Sequence, residues 1–551
     1  VADIYVGDDK CYFVVEAGFR EREMMKTVPG AVWRHRTQQW NIPMTWAALA
    51  AMRGTFGSEL NMEPGVISWA WSERERVEAA LAARVVEPAP GQYSFQEVGI
   101  SFLNIAGSAL LGDEMGLGKS RQAIISADLP CLVVCPNSMK YAWREEWFKW
   151  RSECSVSVVD GTPTAKAKAL SSGADVVIVN WESLRSYSRL APYGSIRLSD
   201  KQKEPGPLNR EWATVIADEA HRAKDPHSQQ TRALWATGAT ATRRIALTGT
   251  PVANSPADLW SVMHFVSPEE WPSKTKFIDR YCNSSQNFWG GLDVYSLKQS
   301  TRAEMDAFFE PRFLRRTKAE VLPQLPAKTY SVRNVIMAPA QLKAYESLRK
   351  DMLAQLDSGI LAAFDPLVQS LRLLQTASAL PVLDEAGGVS ALSLPSCKVE
   401  ALLDLLDEAA GAPMVVFAAS RKLIELCSEK VDCDHILITG SQSSVDRATS
   451  IERFQRGGVP LALVTLGAGG EGITLTAASR AVFLQRSWSL VQNLQAEDRI
   501  HRIGQIGDSV EIIDVVSTGT LEEKVREVMY DKEATLADVV KDPKRLRDLL
   551  I

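Results

Sequence analysis

The sequence predicts an α/β fold: two parallel-sheet lobes with a helical insertion between them and a small N-terminal α+β domain. Two observations predict it. Short apolar runs of strand length alternate with helical stretches over residues 92–253, and the same rhythm resumes over 396–540. Those runs lack the two-residue alternation of a half-solvated sheet, which is how strands covered on both faces read. The composition agrees. Of 551 residues, 46% are apolar and 23% charged, a balance that fills large cores without disulfide or metal staples.

Residues 1–86 form the small front domain. They carry short strand-like runs such as Tyr12–Glu16 and the aromatic and basic piece "AVWRHRTQQWNIP". A helical stretch, "SERERVEAALAARVVEPAPG", follows, with Ser72 as its expected cap, Glu75 three residues on, and Pro88, Pro90 and Gly91 as its stop. Residues 87–253 form the first lobe, with "CLVVCP", "DVVIVN", "TVIADEA" and "RIALTGTP" as strands. Residues 254–395 break the rhythm and read as mostly helical. Residues 396–551 restore it with "MVVFAA", "HILITG", "LALVTL", "RAVFLQ" and "VEIIDVV", and end in "GTLEEKVREVM", which resembles the closing helix that braces such lobes in a known family. Ligands of such sheets bind beyond the C-terminal ends of the strands.

Bulk properties exclude little and favour an intracellular protein. The net charge is −5, so a nucleic-acid partner would be held by local basic surface rather than by the whole-protein field. The eight cysteines are scattered and contain no C-x-x-C pair, which fits small buried hydrophobes in a reducing compartment. There is no run of 18 apolar residues and no signal-peptide layout. A cytoplasmic place of action is therefore expected.

The chemistry begins at "LLGDEMGLGKSRQAI", residues 110–124. The phosphate-loop pattern G-x-x-x-x-G-K-[ST] asks for glycine where Asp113 stands. The rest of the loop fits. Gly116, Leu117 and Gly118 let successive N–H groups curl around an anion, and the helix that follows adds its positive end. Lys119 would neutralise the β- and γ-phosphates, and Ser120 would offer a hydroxyl to Mg²⁺. Downstream, "TVIADEAHR" sets Asp218 and Glu219 at the tip of an apolar strand. One acid can hold Mg²⁺ through its water shell while the second orients the attacking water. At the far end "QAEDRIHRIGQ" spaces Arg499 and Arg502 three apart, which on a helix would put both on one face and into one cleft.

Together "GDEMGLGKS", "DEAH" and "ALTGTP" resemble motifs I, II and III of superfamily-two helicases, and in particular the Swi/Snf-type remodelling ATPases. Members of that family commonly carry aspartate at the position of Asp113. "YSFQEVGISFL" is similar to the Q motif, which implies Gln96 on the adenine edge, and "CPNSMKYAWREEW" to motif Ia, which implies a DNA-backbone contact. "PMVVFAASRKL" and "LVTLGAGGEGITLTAAS" resemble motifs IV and V, the latter with Glu471 where many relatives have a small or apolar residue. "QAEDRIHRIGQ" resembles motif VI and implies that Gln495, Arg499 and Arg502 close on ATP held by the other lobe. "RFLRRTKAEVLPQLPAK", with Arg315, Arg316 and Lys318, is similar to the segment joining the halves.

The resemblance covers about residues 92–535 and is nearest to the annealing-helicase branch. "MMKTVPGAVWRHRTQQWNIP" is similar to the HepA-related module that accompanies it. There Trp33, Trp40, Arg34, His35 and Arg36 would contact DNA, or else form the core of a small hairpin domain. The resemblance implies two RecA-like lobes, ATP and Mg²⁺ as cofactors, and double-stranded or forked DNA as track. The expected activity is translocation that remodels DNA or protein–DNA complexes and reanneals strands, in a monomer of prokaryotic or viral origin. Three alternatives stay open: a strand-separating helicase, a non-catalytic DNA-binding module, and an engine directed at a protein partner on DNA.

Overall fold

In the computed structural model the described residues are 2–7, 12–18, 21–28, 30–81, 93–252, 255–286, 292–356, 359–362, 366–442, 444–469, 473–505 and 507–539. Cys11, Pro88, Pro90, Gly91, the boundary at residue 87, Glu471 and the last twelve residues lie outside them. The chain divides into two compact units, passing into the second at Leu322 and rejoining the first at Thr535.

The front domain is a five-stranded sheet of β1 (Ala2–Val6), β2 (Tyr12–Ala17), β3 (Val32–Arg34), β4 (Gln39–Pro43) and β5 (Leu60–Met62), in the order β3-β4-β2-β1-β5. Its helices are Trp46–Phe56, capped by the Thr45 hydroxyl, and Pro64–Leu81. The second corrects the expected start at Ser72. The helix begins eight residues earlier, and the Ser72 hydroxyl donates to Ser68 O (3.2 Å) within it. Proline lacks an N–H and suits a first turn. Trp69, edge-on to Phe13 at 5.0 Å, supplies packing that the charged stretch after it does not.

The first lobe is a parallel sheet of seven strands. Six are β6 (Ala109–Leu111), β7 (Cys131–Cys135), β8 (Val156–Val158), β9 (Val176–Asn180), β10 (Trp212–Asp218) and β11 (Ala241–Leu247). Along the chain, helices and three two-stranded hairpins come next, β12 (Cys282–Gln286) with β13 (Leu292–Leu297), β16 (Leu353–Leu356) with β17 (Gly359–Ala362), and β18 (Leu380–Leu383) with β19 (Val389–Ser393). The same stretch lends a strand to each lobe. β14 (Phe313–Leu314) extends the first sheet, giving β14-β6-β11-β10-β7-β9-β8. β15 (Ala327–Val335) edges the second, which continues through β24 (Ser509–Ser517), β23 (Arg480–Phe483), β20 (Met414–Ala418), β22 (Leu461–Thr465) and β21 (His435–Ile438), all parallel.

The central strands are apolar because both faces are covered. Every residue of β7, β9, β20 and β22 is buried. Helices Ser94–Ala106 and Lys140–Trp150 pack Phe102, Leu103, Trp143 and Trp147 onto the first sheet. The described cysteines are unpaired and six of the seven are buried, with burial pushing the Cys427 and Cys282 thiols up to about 12. They serve as packing groups.

Candidate nucleotide site

β6 leads into the glycine-rich loop, and helix Lys119–Ser126 leaves it. Gly116 (φ +85°) and Gly118 (φ +76°) take the left-handed conformation that only glycine adopts without strain. A Cβ on Gly118 would also meet Gln96 Nε2 at 2.3 Å. Lys119 Nζ donates to Asp113 O (2.7 Å) and Glu114 O (3.3 Å), so the lysine caps its own loop. The buried Leu117 turns its carbonyl inward, where it accepts from Gln96 Nε2 and Gln122 Nε2, both at 3.2 Å. Gln96 Oε1 accepts from Arg121 Nη1 (2.8 Å), and Arg121 pairs with Glu97 (2.8 Å). Ser120, second in the helix, is partly exposed.

Asp113 is wholly buried, and its carboxylate is spent on protein. Arg316 Nε reaches Oδ1 (3.0 Å), Arg316 Nη2 reaches Oδ2 (2.5 Å), and Gln122 Nε2 reaches Oδ2 (3.2 Å). What looked in the sequence like a gap in the glycine pattern is a carboxylate with its own guanidinium. Arg316 stood in the sequence within a linking segment. The signal that could have paired them is the cost of burying a lone carboxylate, which demands a cation somewhere in the chain.

The acid pair stands at the end of β10, separated from β6 by β11 alone in the sheet. Loop and acids therefore share the carboxyl edge of one sheet. Glu219 is left-handed (φ +50°), a conformation costly to a non-glycine residue and frequent at functional sites. Asp218 Oδ2 accepts from the Trp143 indole N–H (2.8 Å), and Oδ1 from the Glu219 N–H (3.0 Å). The Trp181 indole holds Asp218 O (3.0 Å). His221 Nδ1 lies 3.2 Å from Glu219 Oε2 and 3.1 Å from Thr248 Oγ1, beyond the end of β11. Trp143, Trp181 and His221 were not picked out from sequence, because an indole that orients an acid reads there as core.

Burial outweighs the charged partners at two groups of this cluster. Burial, and then Glu219, raise the Asp218 pKa to about 6. Burial also lowers that of Lys119, although Glu219, Asp113 and Asp218 pull the other way. A lysine and an aspartate shifted toward neutrality fit a ligand that brings both a polyanion and a cation. Among the described residues no group of three or more His, Cys, Asp or Glu could cage a metal. One aspartate and one serine hydroxyl suit a magnesium ion whose remaining ligands are water and phosphate.

In the second unit Gln495 is buried in helix Leu490–Glu497. Arg499 and Arg502 are not on that helix, contrary to the expectation of a shared helical face. The helix ends at Glu497, and Arg499 O accepts instead from Leu475 N–H (2.9 Å), a tertiary bond that replaces the next helical one. The two arginines nevertheless converge. Both Nη1 atoms approach Ile473 O, at 3.5 Å and 3.3 Å. The turn is fixed by Glu497, which accepts from Arg486 Nη1 (2.7 Å), Tyr330 Oη (2.9 Å) and Lys328 Nζ (3.3 Å), and by Asp498, which also meets Lys328 (3.2 Å). Sequence reasoning had taken neither Lys328 nor Arg486 as part of the site.

In the front domain Trp40 is buried and packs on Trp33 at 5.3 Å across the β3–β4 hairpin. Arg34, His35 and Arg36 are exposed at its turn.

Comparison with known proteins places the chain in a family. Residues 65–379 match the SNF2-related domain, and residues 397–504 match the helicase conserved C-terminal domain. Among similar proteins are the DNA annealing helicase and endonuclease ZRANB3 of Homo sapiens, 30% identical, covering 78% of this chain and 38% of the relative. Another is the SWI/SNF-related matrix-associated actin-dependent regulator of chromatin subfamily A-like protein 1 of Xenopus tropicalis, 30% identical, covering 80% and 44%. The chain thus spans about two fifths of the length of these relatives. A solved Sulfolobus solfataricus SWI2/SNF2 ATPase core in complex with dsDNA is 24% identical, covering 84% of this chain and 96% of that one, with a TM-score of 0.39. That global match adds nothing to the topology above. The SNF2-related model alone spans more than half of the sequence, and the chain belongs to the SNF2-related family.

Proposed function

We propose that the protein is a DNA-stimulated ATPase that translocates on double-stranded or branched DNA, remodels DNA or protein–DNA complexes, and reanneals strands. The observation that carries the reading is the meeting of the glycine-rich loop with Asp218 and Glu219 at one sheet edge, where burial shifts Lys119 and Asp218 toward neutrality.

In this reading Lys119 leaves Asp113 O for the β- and γ-phosphates, and the N–H groups of Gly116 to Ser120 face the same anion. Gln96 turns to the adenine edge, giving up Leu117 O or Arg121. Bound Mg²⁺ would draw charge from the phosphates and align them for in-line attack. The Ser120 hydroxyl and, through water, Asp218 hold the ion, while Trp143 fixes the angle of Asp218. Glu219 orients the attacking water and accepts its proton, with His221 holding the carboxylate. Arg499 and Arg502, supported by Gln495, stabilise the charge on the transferring phosphoryl group. DNA is gripped through its phosphates, so binding weakens steeply with salt. Arg34, His35 and Arg36 would add a basic contact. A monomer acting on DNA in the cytoplasm completes the proposal.

The test is ATP turnover without DNA and with single-stranded, duplex and forked DNA, alongside triplex displacement. Stimulation by duplex or forked DNA, with a third strand displaced and the duplex left paired, is the expected outcome. Processive unwinding of a blunt duplex would make the protein a strand-separating helicase. DNA binding with no turnover would make it a binding module.

A further inference from the structure

The chain from Arg312 to Lys318 runs beside the glycine-rich loop as an edge strand. Leu110 N–H donates to Arg312 O (2.7 Å), Gly112 N–H to Leu314 O (2.7 Å), and Glu114 N–H to Arg316 O (2.9 Å). This ladder outruns β6 and β14 and enters the loop itself. Side chains close the seam. Arg316 forks Asp113 as described, donates to Gln122 Oε1 (2.9 Å) and to Phe95 O, and lies over the Phe95 ring. Arg315 Nη1 donates to Gly112 O (2.8 Å) and to Gly249 O (2.9 Å), in the turn after β11. Lys318 N–H donates to Glu114 Oε2 (2.7 Å).

One short strand therefore fastens the start of the loop, the helix that carries Gln96, and the turn after β11. The fork at its centre is buried, with side-chain exposures of 12% for Arg316 and 0% for Asp113. Bidentate geometry fixes direction as well as distance. The helix opposite makes room, since a Cβ on Gly99 would meet Arg316 Nη2 at 2.8 Å.

We infer that Arg316 is a positioning residue for nucleotide binding, acting through Asp113 to hold the loop in the shape that receives the triphosphate. The inference rests on the loop being the ATP site. Lys119, the residue that touches phosphate in that reading, hangs on the backbone carbonyl of Asp113, so a shift of Asp113 moves the lysine too. The chain passes into the second unit at Leu322, four residues after Lys318.

The experiment measures equilibrium binding of a fluorescent ATP analogue with Mg²⁺, the kcat and KM of turnover, and thermal melting, all in the full chain. The variants are Arg316→Gln, Arg316→Lys, Asp113→Asn, the double Asp113→Asn/Arg316→Gln, and Lys119→Ala. Arg316→Gln and Asp113→Asn should each raise Kd and KM about tenfold while kcat stays within about twofold. The double variant should be no weaker than the poorer single one, because both act through one contact. If Arg316→Gln fails to fold, Arg316→Lys, which keeps the charge and loses the fork, carries the test with a rise of about threefold. Unchanged Kd with a lowered melting temperature would overturn the inference, as would losses that multiply in the double variant. If Lys119→Ala loses nucleotide while Arg316→Gln and Arg316→Lys keep it, this inference alone fails. If Lys119→Ala binds as the parent does, the ATP-site reading fails with it.

Discussion

The two charged clusters, one in each unit, are built from the same residue types and behave in opposite ways. Around Asp218 and Lys119, burial outweighs the partners, so the acid is raised to about 6 and the lysine lowered. Around Glu497 and Arg486, burial pushes in the same sense and loses. Lys328 and Arg486 hold Glu497 below the ordinary carboxylate range, and Asp514 and Glu497 raise Arg486. The second cluster is a finished ion-pair network that frames the arginine turn. In the first, burial outweighs the partners of Asp218 and Lys119, which suits the ATP site proposed above.

The largest effect that would sharpen this contrast is on chemistry. Arg502→Ala should slow hydrolysis about a hundredfold while weakening ATP binding far less, as single-turnover rates beside equilibrium binding would reveal. A loss of affinity alone would break the assignment of the arginine turn to catalysis. Next comes stability. Glu497→Gln takes one carboxylate from Lys328 and Arg486, which keep Asp498 and Asp514, and should cost about 2 kcal/mol in denaturant unfolding at neutral pH. Because the folded-state pKa of Glu497 is depressed, its contribution is present above the unfolded value near 4.3 and lost as pH falls through the folded one. The difference between parent and variant should therefore shrink in acid.

The smallest effect has the opposite sign. With its folded pKa raised, Asp218 costs stability once pH passes its unfolded value of about 3.9, and the full cost is present above about 6. Asp218→Asn should then melt slightly higher than the parent at pH 8 without nucleotide or Mg²⁺, and equally below about pH 4. Asparagine, like the protonated acid, keeps one acceptor oxygen for the Trp143 or the Glu219 N–H and not for both, which holds the gain to a small one. A variant that melts lower at pH 8 would mean that the first cluster is balanced after all.

Legibility followed burial. "CLVVC", "VVIVN" and "LALVT" announced themselves because both faces of each strand are covered. β15, "AKTYSVRNV", is mostly exposed along the sheet edge and reads as linker, while β14 has two residues and is visible only through its partner. At the site, the residues that would meet a ligand were legible, since phosphate and magnesium chemistry limits which types serve. Those that aim them were not. Arg316 lies 203 residues from Asp113, and Trp143 lies 75 from Asp218. The spacing of Arg499 and Arg502 gave the right convergence for the wrong reason, a tertiary bond to Leu475 having ended the helix that the spacing implies.

The central claim is that the first cluster is the hydrolytic site, and Glu219→Gln tests it most directly. The variant keeps the shape of the side chain, loses its basicity, and changes no residue of the glycine-rich loop. Measured with saturating duplex DNA, it should bind ATP with Mg²⁺ about as tightly as the parent and turn it over at least about a hundredfold more slowly. Turnover at the parental rate would contradict the account.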